Sequence, residues 1–173
     1  MSVIIQGSGG VTTNSGAVYN GIQGGTAVAS TSGTSIDFTS IPSWVKRITV
    51  MFNGVSTNGT SNVQVQIGSG SITSSGYLST SSNISVGSGQ TTNSTTGFLI
   101  NSASTSDIRS GNMILTSLGS NLWICSSTLK ASTTYTVWGS GDVTLGGTLD
   151  RVRITTVNGT DTFDAGSINI LYE

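Results

Sequence analysis

Hydrophobic and polar residues alternate along most of the chain after residue 34. In "RITVMF", Ile48, Val50 and Phe52 alternate with Arg47, Thr49 and Met51. In "NLWICSS", Leu122, Ile124 and Ser126 fall on one side of a strand, and Trp123, Cys125 and Ser127 fall on the other. Alternation with a period of two predicts half-buried β-strands. Candidate strands cover residues 36–38, 44–52, 62–68, 77–78, 97–101, 112–118, 121–127, 133–139, 151–157 and 167–173.

Turn residues separate these candidate strands at intervals of about ten residues. The chain contains 24 Gly and a single Pro, and Thr, Val and Ile outnumber the stronger helix formers, which favours strands joined by tight turns. We therefore expect an all-β protein, an antiparallel, jelly-roll-like β-sandwich of eight to ten short strands.

The first 34 residues have a different composition. They contain "GSGG", "NSG", "NGIQGG" and "STSGTS" between short apolar patches, which is typical of a flexible arm. The expected organisation is an N-terminal arm for assembly or virion attachment, residues 1–34, followed by a β-sandwich domain, residues 35–173. A Gly-rich terminus becomes ordered when something packs over it, so we expect a neighbouring subunit or a larger assembly to hold the arm.

Charge is sparse and balanced. Six basic and seven acidic residues make up 8% of the chain, the formal net charge is −1, and Lys46-Arg47 is the largest basic cluster. This pattern gives no electrostatic footprint for nucleic acid. There is no apolar run approaching the ~20 residues of a membrane span and no signal-peptide pattern at the start, so we expect synthesis in a cytosol.

Residues suited to catalysis or metal binding are few. Cys125 is the single cysteine and the chain has no His, so a small buried apolar role is favoured over that of a nucleophile. Asp161 and Asp164 suggest a carboxylate pair or a calcium site, but no second acidic cluster supplies further ligands. We assign no catalytic, cofactor-binding or metal-binding residue and expect no cofactor.

Six of the charged residues lie within the last 24 positions of the chain. A β-hairpin explains them, because "RVRITTV" alternates and Asn158-Gly159 is a preferred two-residue turn. Pairing outward from this turn places Arg153 opposite Asp164. We therefore expect a cross-strand salt bridge between these two residues.

A long uncharged segment, residues 74–97, is rich in Ser, Thr, Asn and Gly. Loops presented by a rigid scaffold often carry specificity, so Tyr77, Ser79, Asn83 and Asn93 are candidate ligand contacts. An exposed spacer without a ligand is the alternative. The tryptophans fall within alternating strands and are expected in the core, which leaves Tyr77 as the best candidate for an exposed aromatic ring.

Two blocks of the sequence resemble a module found at the C-termini of tail-fibre and related virion proteins of tailed bacteriophages. They are "GTSIDFTSIPSWVKRITVMFNGVSTNGTSNVQVQIGSG" and "GGTLDRVRITTVNGTDTFDAGSINILYE", and they bracket a middle part that does not share the resemblance. The resemblance implies a β-sandwich displayed on the virion surface, commonly as a homotrimer, without catalytic activity. It transfers no catalytic residue.

The function that these observations favour is that of a tail-fibre or receptor-binding tip module of a phage virion, assembled in the host cytoplasm. A short arm in place of a long shaft favours a capsid decoration protein, and a carbohydrate-binding module is a further alternative. The expected partners are further copies of the chain, capsid or tail proteins and a host surface glycan or protein. Neither nucleic acid nor a membrane is among the expected partners.

Overall fold

The computed structural model describes residues 21–173 and, before them, the backbone of three short strands. These strands are β1 (Ile4–Gln6), β2 (Gly10–Thr12) and β3 (Val18–Tyr19). They pair antiparallel in chain order and form a sheet of their own. The other residues of the predicted arm up to residue 20 lie outside the described part of the chain.

Residues 21–173 form an antiparallel β-sandwich, as the alternation predicts, and this range contains no helix. The strands are β4 (Gln23–Gly24), β5 (Val28–Ala29), β6 (Ser35–Thr39), β7 (Arg47–Thr57), β8 (Val63–Ser69), β9 (Ser71–Ile72), β10 (Leu78–Ser85), β11 (Ser88–Ser94), β12 (Phe98–Ile100), β13 (Arg109–Gly119), β14 (Leu122–Lys130), β15 (Tyr135–Thr144), β16 (Arg151–Thr156) and β17 (Phe163–Tyr172).

The strands divide between a larger and a smaller sheet. The larger sheet has nine strands in the order β11-β10-β15-β14-β13-β7-β17-β4, and β5 also pairs with β17. The smaller sheet has five strands in the order β12-β8-β16-β6, with β9 on β8. The chain crosses between the sheets several times, so neighbours within a sheet are often distant in sequence.

One hydrophobic core fills the space between the two sheets. The larger sheet contributes residues such as Val50 and Leu115, and the smaller sheet contributes residues such as Val65 and Ile154, all fully buried. Burying an aliphatic side chain of this size stabilises a fold by about 1.5–3 kcal/mol. Buried positions alternate along strands such as β6 and β14, which confirms the alternation visible in their sequences, whereas β8 and β12 are buried on both sides.

The sandwich begins earlier in the chain than the expected boundary at residue 35. β4 and β5, within the predicted arm, pair with β17 at the edge of the larger sheet. Ser30 is completely buried, and its amide and hydroxyl donate to the carbonyls of Gly166 (2.9 Å) and Ala165 (2.8 Å). This part of the arm is therefore bound to the sandwich of its own chain.

The long uncharged segment is a hairpin instead of a loop. β10 and β11 pair over seven residue pairs and meet in a tight turn at Val86 and Gly87, where Gly87 has a φ of 82°. The alternation rule missed these strands because their inward positions carry hydroxyl groups instead of apolar side chains. Strand geometry here follows from pairing with β15, which the local sequence does not reveal.

Candidate functional site

The predicted C-terminal hairpin is wrong, although its turn exists. β16 pairs with β6 and β8 in the smaller sheet, whereas β17 pairs with β7 in the larger one. The Asn158-Gly159 turn is therefore a corner that carries the chain from one sheet to the other. The Gly159 amide donates to the Thr156 carbonyl (3.1 Å), and Asn158 Oδ1 accepts from the amides of Thr160 and Asp161.

Asp161 holds this corner against the turn after β7. Its carboxylate accepts hydrogen bonds from Asn158 Nδ2 (2.6 Å) and from the Ser61 amide (2.9 Å), which lower the pKa of Asp161 below its usual value. Gly59 lies directly against the carboxylate, where an added Cβ would come within 2.1 Å of it. The carboxylate thus connects this corner to the turn after β7.

Arg153 and Asp164 do not form the expected salt bridge. Arg153 makes a bidentate pair with Asp37 on β6, with both N–O distances at 2.7 Å. Asp164 is exposed and accepts a hydrogen bond from the hydroxyl of Ser56 on β7. The physical reason is the sheet assignment, because the two residues lie on strands of different sheets.

Tyr77 is not the exposed aromatic ring that the sequence suggests. It is fully buried, with its ring packed edge-on against Phe98 at 5.0 Å between centroids. Its hydroxyl accepts from the Ile67 amide (2.8 Å) and lies within donating distance of the Ile67 and Thr73 carbonyls. Burial raises the pKa of Tyr77 to about 12, and the side chain serves the core.

The other three candidates from the same segment differ in their exposure to solvent. Ser79 is buried, and its Oγ accepts from the Leu99 amide on β12 (2.9 Å). Asn83 is half-buried and donates to the Asn101 carbonyl (3.3 Å). These polar side chains link the two sheets, since they point inward and satisfy backbone groups near β12. Asn93 on the edge strand β11 is exposed and remains available to a ligand.

The tryptophan exposed to solvent is Trp138 on β15, which corrects the expectation that it belongs to the core. Its exposed fraction is 44%, whereas Trp123 is buried with an exposed fraction of 4%. The sequence contains a signal for this placement, because alternation groups Trp138 with Thr136 and Ser140 rather than with Val137. A search for aromatic residues on the polar side of an alternating strand would have found it.

Strand register shows what surrounds Trp138 on the outer side of the larger sheet. Ser82 on β10 and Thr128 on β14 lie directly opposite it, and Thr136 and Ser140 flank it along β15. We call this surface the Trp138 face. It consists of Trp138 and its eight neighbours in the strand grid, Thr80, Ser82, Ile84, Ser126, Thr128, Lys130, Thr136 and Ser140.

A second polar feature lies at one end of the sandwich, where a cavity of about 510 Å³ opens beside Asp107, Lys130 and Tyr135. Asp107 is buried and accepts from the Ser102 hydroxyl (2.7 Å) and the Ser104 amide (3.0 Å). Burial and the neighbouring Asp107 carboxylate raise the pKa of Tyr135 to about 12.

Arg109 lies behind this cavity and is fully buried, 3.9 Å from Asp107. Its Nη2 donates to the Ser102 carbonyl (2.7 Å). Burial lowers the pKa of Arg109, and the Asp107 charge opposes that effect. Asp107 is the one acid among the residues that line the cavity, so the cavity itself offers no carboxylate pair for acid and base catalysis.

Cys125 is buried, as its alternation predicts, and burial raises the pKa of its thiol to about 12. The described residues contain no group of three or more His, Cys, Asp or Glu side chains that could hold a metal ion. In the same part of the chain, no helix has the length and apolarity to cross a membrane.

Comparisons of the chain with protein-family models, with curated proteins and with solved structures give no match.

Proposed function

We propose that this protein is a non-enzymatic structural protein displayed on the surface of a tailed-phage virion, as a tail-fibre or receptor-binding tip module. The observation that carries the proposal is the outer surface of the larger sheet. Around Trp138 this surface is exposed and consists mainly of hydroxyl side chains on paired strands, with Lys130 as its one charged member. A rigid sheet of this kind suits the presentation of a binding surface.

The positions of the two blocks that resemble the phage module support the proposal. The first block, residues 33–70, contains β6, β7 and β8, and the second, residues 146–173, contains β16 and β17. β16 lies between β6 and β8, and β17 lies beside β7. The two blocks therefore form a continuous scaffold across both sheets.

The middle part of the chain supplies the Trp138 face. Its strands β10, β14 and β15 lie between the two blocks in sequence and extend the larger sheet away from β7 and β17. A scaffold combined with a separate display region is the arrangement expected of proteins that keep a fold and vary a binding surface. In this proposal the chain assembles as a homotrimer and attaches to other virion proteins.

Capsid decoration is the second candidate, and the strands of the N-terminal segment favour it. β1, β2 and β3 form a sheet separate from the two sheets of the sandwich. A separate element before the display domain suits attachment to a shell. Both candidate functions place the protein on the virion surface. They differ in whether the protein lies on the tail or on the head.

Labelling the protein in intact particles tests the proposal. A specific antibody fragment, visualised by electron microscopy, should bind at tail-fibre tips, whereas labelling over the head surface would support decoration. Absence of the protein from purified particles would reject both candidates. Light scattering coupled to size-exclusion chromatography tests the trimer, and a monomer at micromolar concentration would count against it.

Deleting residues 1–20 tests attachment through the N-terminal segment. This deletion retains β4 and β5, which belong to the sandwich. We expect the shortened protein to fold and to be lost from particles. Normal incorporation would reject the N-terminal segment as the anchor.

A further inference from the structure

We infer that the Trp138 face binds a neutral sugar of the host surface, with the indole ring stacked on the sugar and the surrounding hydroxyls hydrogen-bonded to it. The inference rests on the proposed display of this domain on a virion, and it names the ligand class and the binding surface. The site includes Thr80, Ser82 and Ile84 from the segment that sequence alone suggested, but its centre is Trp138 on β15. Tyr77 and Ser79, the first two candidates from that segment, are buried.

The aromatic ring is placed for stacking on a flat ligand. Trp138 projects from the middle of a paired sheet, and 44% of its surface is exposed. A tryptophan ring offers an apolar face and one N–H donor, which match the C–H and O–H groups of a sugar. Val137 and Gly139 on either side of Trp138 face inward, toward the smaller sheet. Because successive residues of a strand face opposite sides, Trp138 lies on the outer side of the larger sheet.

The neighbours of Trp138 supply hydrogen bonds. Six of its eight neighbours in the strand grid carry hydroxyl groups, namely Thr80, Ser82, Ser126, Thr128, Thr136 and Ser140. Directly opposite residues have Cβ atoms about 4.5–5.5 Å apart and diagonal neighbours about 7–8 Å apart. These hydroxyls thus surround the ring at distances that the edges of one or two sugar units can reach.

The charge of the face favours a neutral ligand. Lys130 is the single charged member of the face, at one corner, and Asp142 lies beyond Ser140 on the same strand. The two opposite charges balance, and the hydroxyls between them can donate or accept. An anionic glycan would need a cluster of basic groups, which this face does not contain.

The alternative occupant of the Trp138 face is a second copy of the chain. The oligomeric state of a Trp138 variant distinguishes this case from sugar binding. If Trp138→Ala changed the oligomeric state of the protein at equal concentration, the face would be a contact between copies and the inference would be overturned. An unchanged oligomeric state together with lost sugar binding supports it.

The test uses the purified full chain and short neutral oligomers of glucose, galactose, mannose and N-acetylglucosamine, measured by saturation-transfer NMR and titration calorimetry. We expect binding to at least one of them. Trp138→Ala should weaken it by about tenfold or more, and Ser82→Ala or Thr128→Val by roughly three- to tenfold. Leu118→Ala is the matched control, since Leu118 is exposed at the end of β13 outside the face, and should leave binding unchanged.

Several results would overturn the inference. They are absence of binding to all the neutral oligomers by a folded protein, preference for a sialylated or phosphorylated oligomer, and undiminished binding by Trp138→Ala. The labelling of particles is independent of these measurements. A protein found on the virion that binds no neutral sugar would retain the proposed function and lose this inference.

Discussion

Tyr77 shows how a single residue in a polar stretch can belong to the core. Its neighbours in sequence are Gly76 and Leu78, both exposed, but its ring packs against Phe98 and its hydroxyl accepts a hydrogen bond from the Ile67 amide of β8. The local sequence could not show this, because the partners of Tyr77 come from other strands.

Tyr77→Phe should destabilise the protein by about 1–3 kcal/mol, because the buried Ile67 amide would lose its acceptor. The free energy of unfolding in urea measures the change. Tyr172→Phe is the control, since Tyr172 is half-buried at the end of β17, and should change it by less than about 0.5 kcal/mol. Equal effects of the two substitutions would contradict the assigned role of the Tyr77 hydroxyl.

Asp161 gives a pH-dependent prediction at the same scale. Its pKa is lowered in the folded protein by Asn158 and the Ser61 amide, so its stabilising contribution is present above the ordinary carboxyl pKa and is lost as the pH falls through the lowered value. Asp161→Asn should cost about 1 kcal/mol near neutral pH, since the charge-assisted hydrogen bonds are weakened at this partly exposed site.

The difference between the wild type and Asp161→Asn should shrink below about pH 4, where the unfolded chain takes up the proton. Urea denaturation at neutral and acidic pH measures it. Val157→Ala, in the same turn, changes no ionisable group and serves as the control. If the difference in the free energy of unfolding stayed constant from neutral to acidic pH, the packing of the side chain, and not its charge, would explain the lower stability of Asp161→Asn.

At the scale of elements, the pairing of strands decides which charged side chains form salt bridges. Arg153 on β16 lies opposite Asp37 on β6, and the two side chains form a bidentate pair. Sequence distance favours Asp164 as the partner, because Asn158-Gly159 lies between them. The chain instead crosses to the other sheet at that turn, and Asp164 comes to lie beside Ser56.

A double-mutant cycle separates the two pairings. Arg153→Ala and Asp37→Ala should show a coupling energy of about 0.2–1 kcal/mol, because both side chains are partly exposed. Arg153→Ala and Asp164→Ala should be additive within ~0.3–0.5 kcal/mol. Urea denaturation measures both cycles, and a larger coupling for Arg153 with Asp164 would contradict the observed strand pairing.

The β10–β11 hairpin shows why a polar segment can still be a pair of strands. Inward hydroxyls such as Ser79 and Ser81 accept hydrogen bonds from backbone amides at and just after β12. They replace the apolar side chains that usually mark an inward face. Two of the outward positions, Thr80 and Ser82, carry hydroxyls of the Trp138 face, and the other two, Leu78 and Ile84, are apolar and exposed. The apolar residues of β10 therefore do not mark its inward side.

At the scale of the whole molecule, residues 23–30 complete the edge of the larger sheet. The amides of Gly25 and Ser30 donate to carbonyls of β17, and Asn169 Nδ2 donates to the Gly25 carbonyl. Residues 23–30, which make these contacts, precede the predicted domain of residues 35–173. The proposed assembly arm therefore comprises less of the chain than the composition of residues 1–34 suggests.

Two truncations test this boundary. Removing residues 1–31 should destabilise the sandwich by about 2–4 kcal/mol, since several backbone hydrogen bonds and the buried Ser30 are lost, and the exposed edge of β17 should promote aggregation. Removing residues 1–20 alone should leave the free energy of unfolding of the sandwich unchanged. Thermal and urea denaturation with light scattering measure both, and equal stability of the two truncated proteins would contradict the boundary.

The sequence alone determined the class of fold and most of the strands of the core. Alternation is a local property, and burial of one side of a strand leaves a mark on every second residue, as at Trp123 and Cys125. Tertiary structure decided which strands are neighbours, and with them the partner of Arg153, the burial of Tyr77 and the exposure of Trp138. These outcomes depend on contacts between residues far apart in the chain, where hydrogen bonding between strands and the crossing between sheets leave no local pattern.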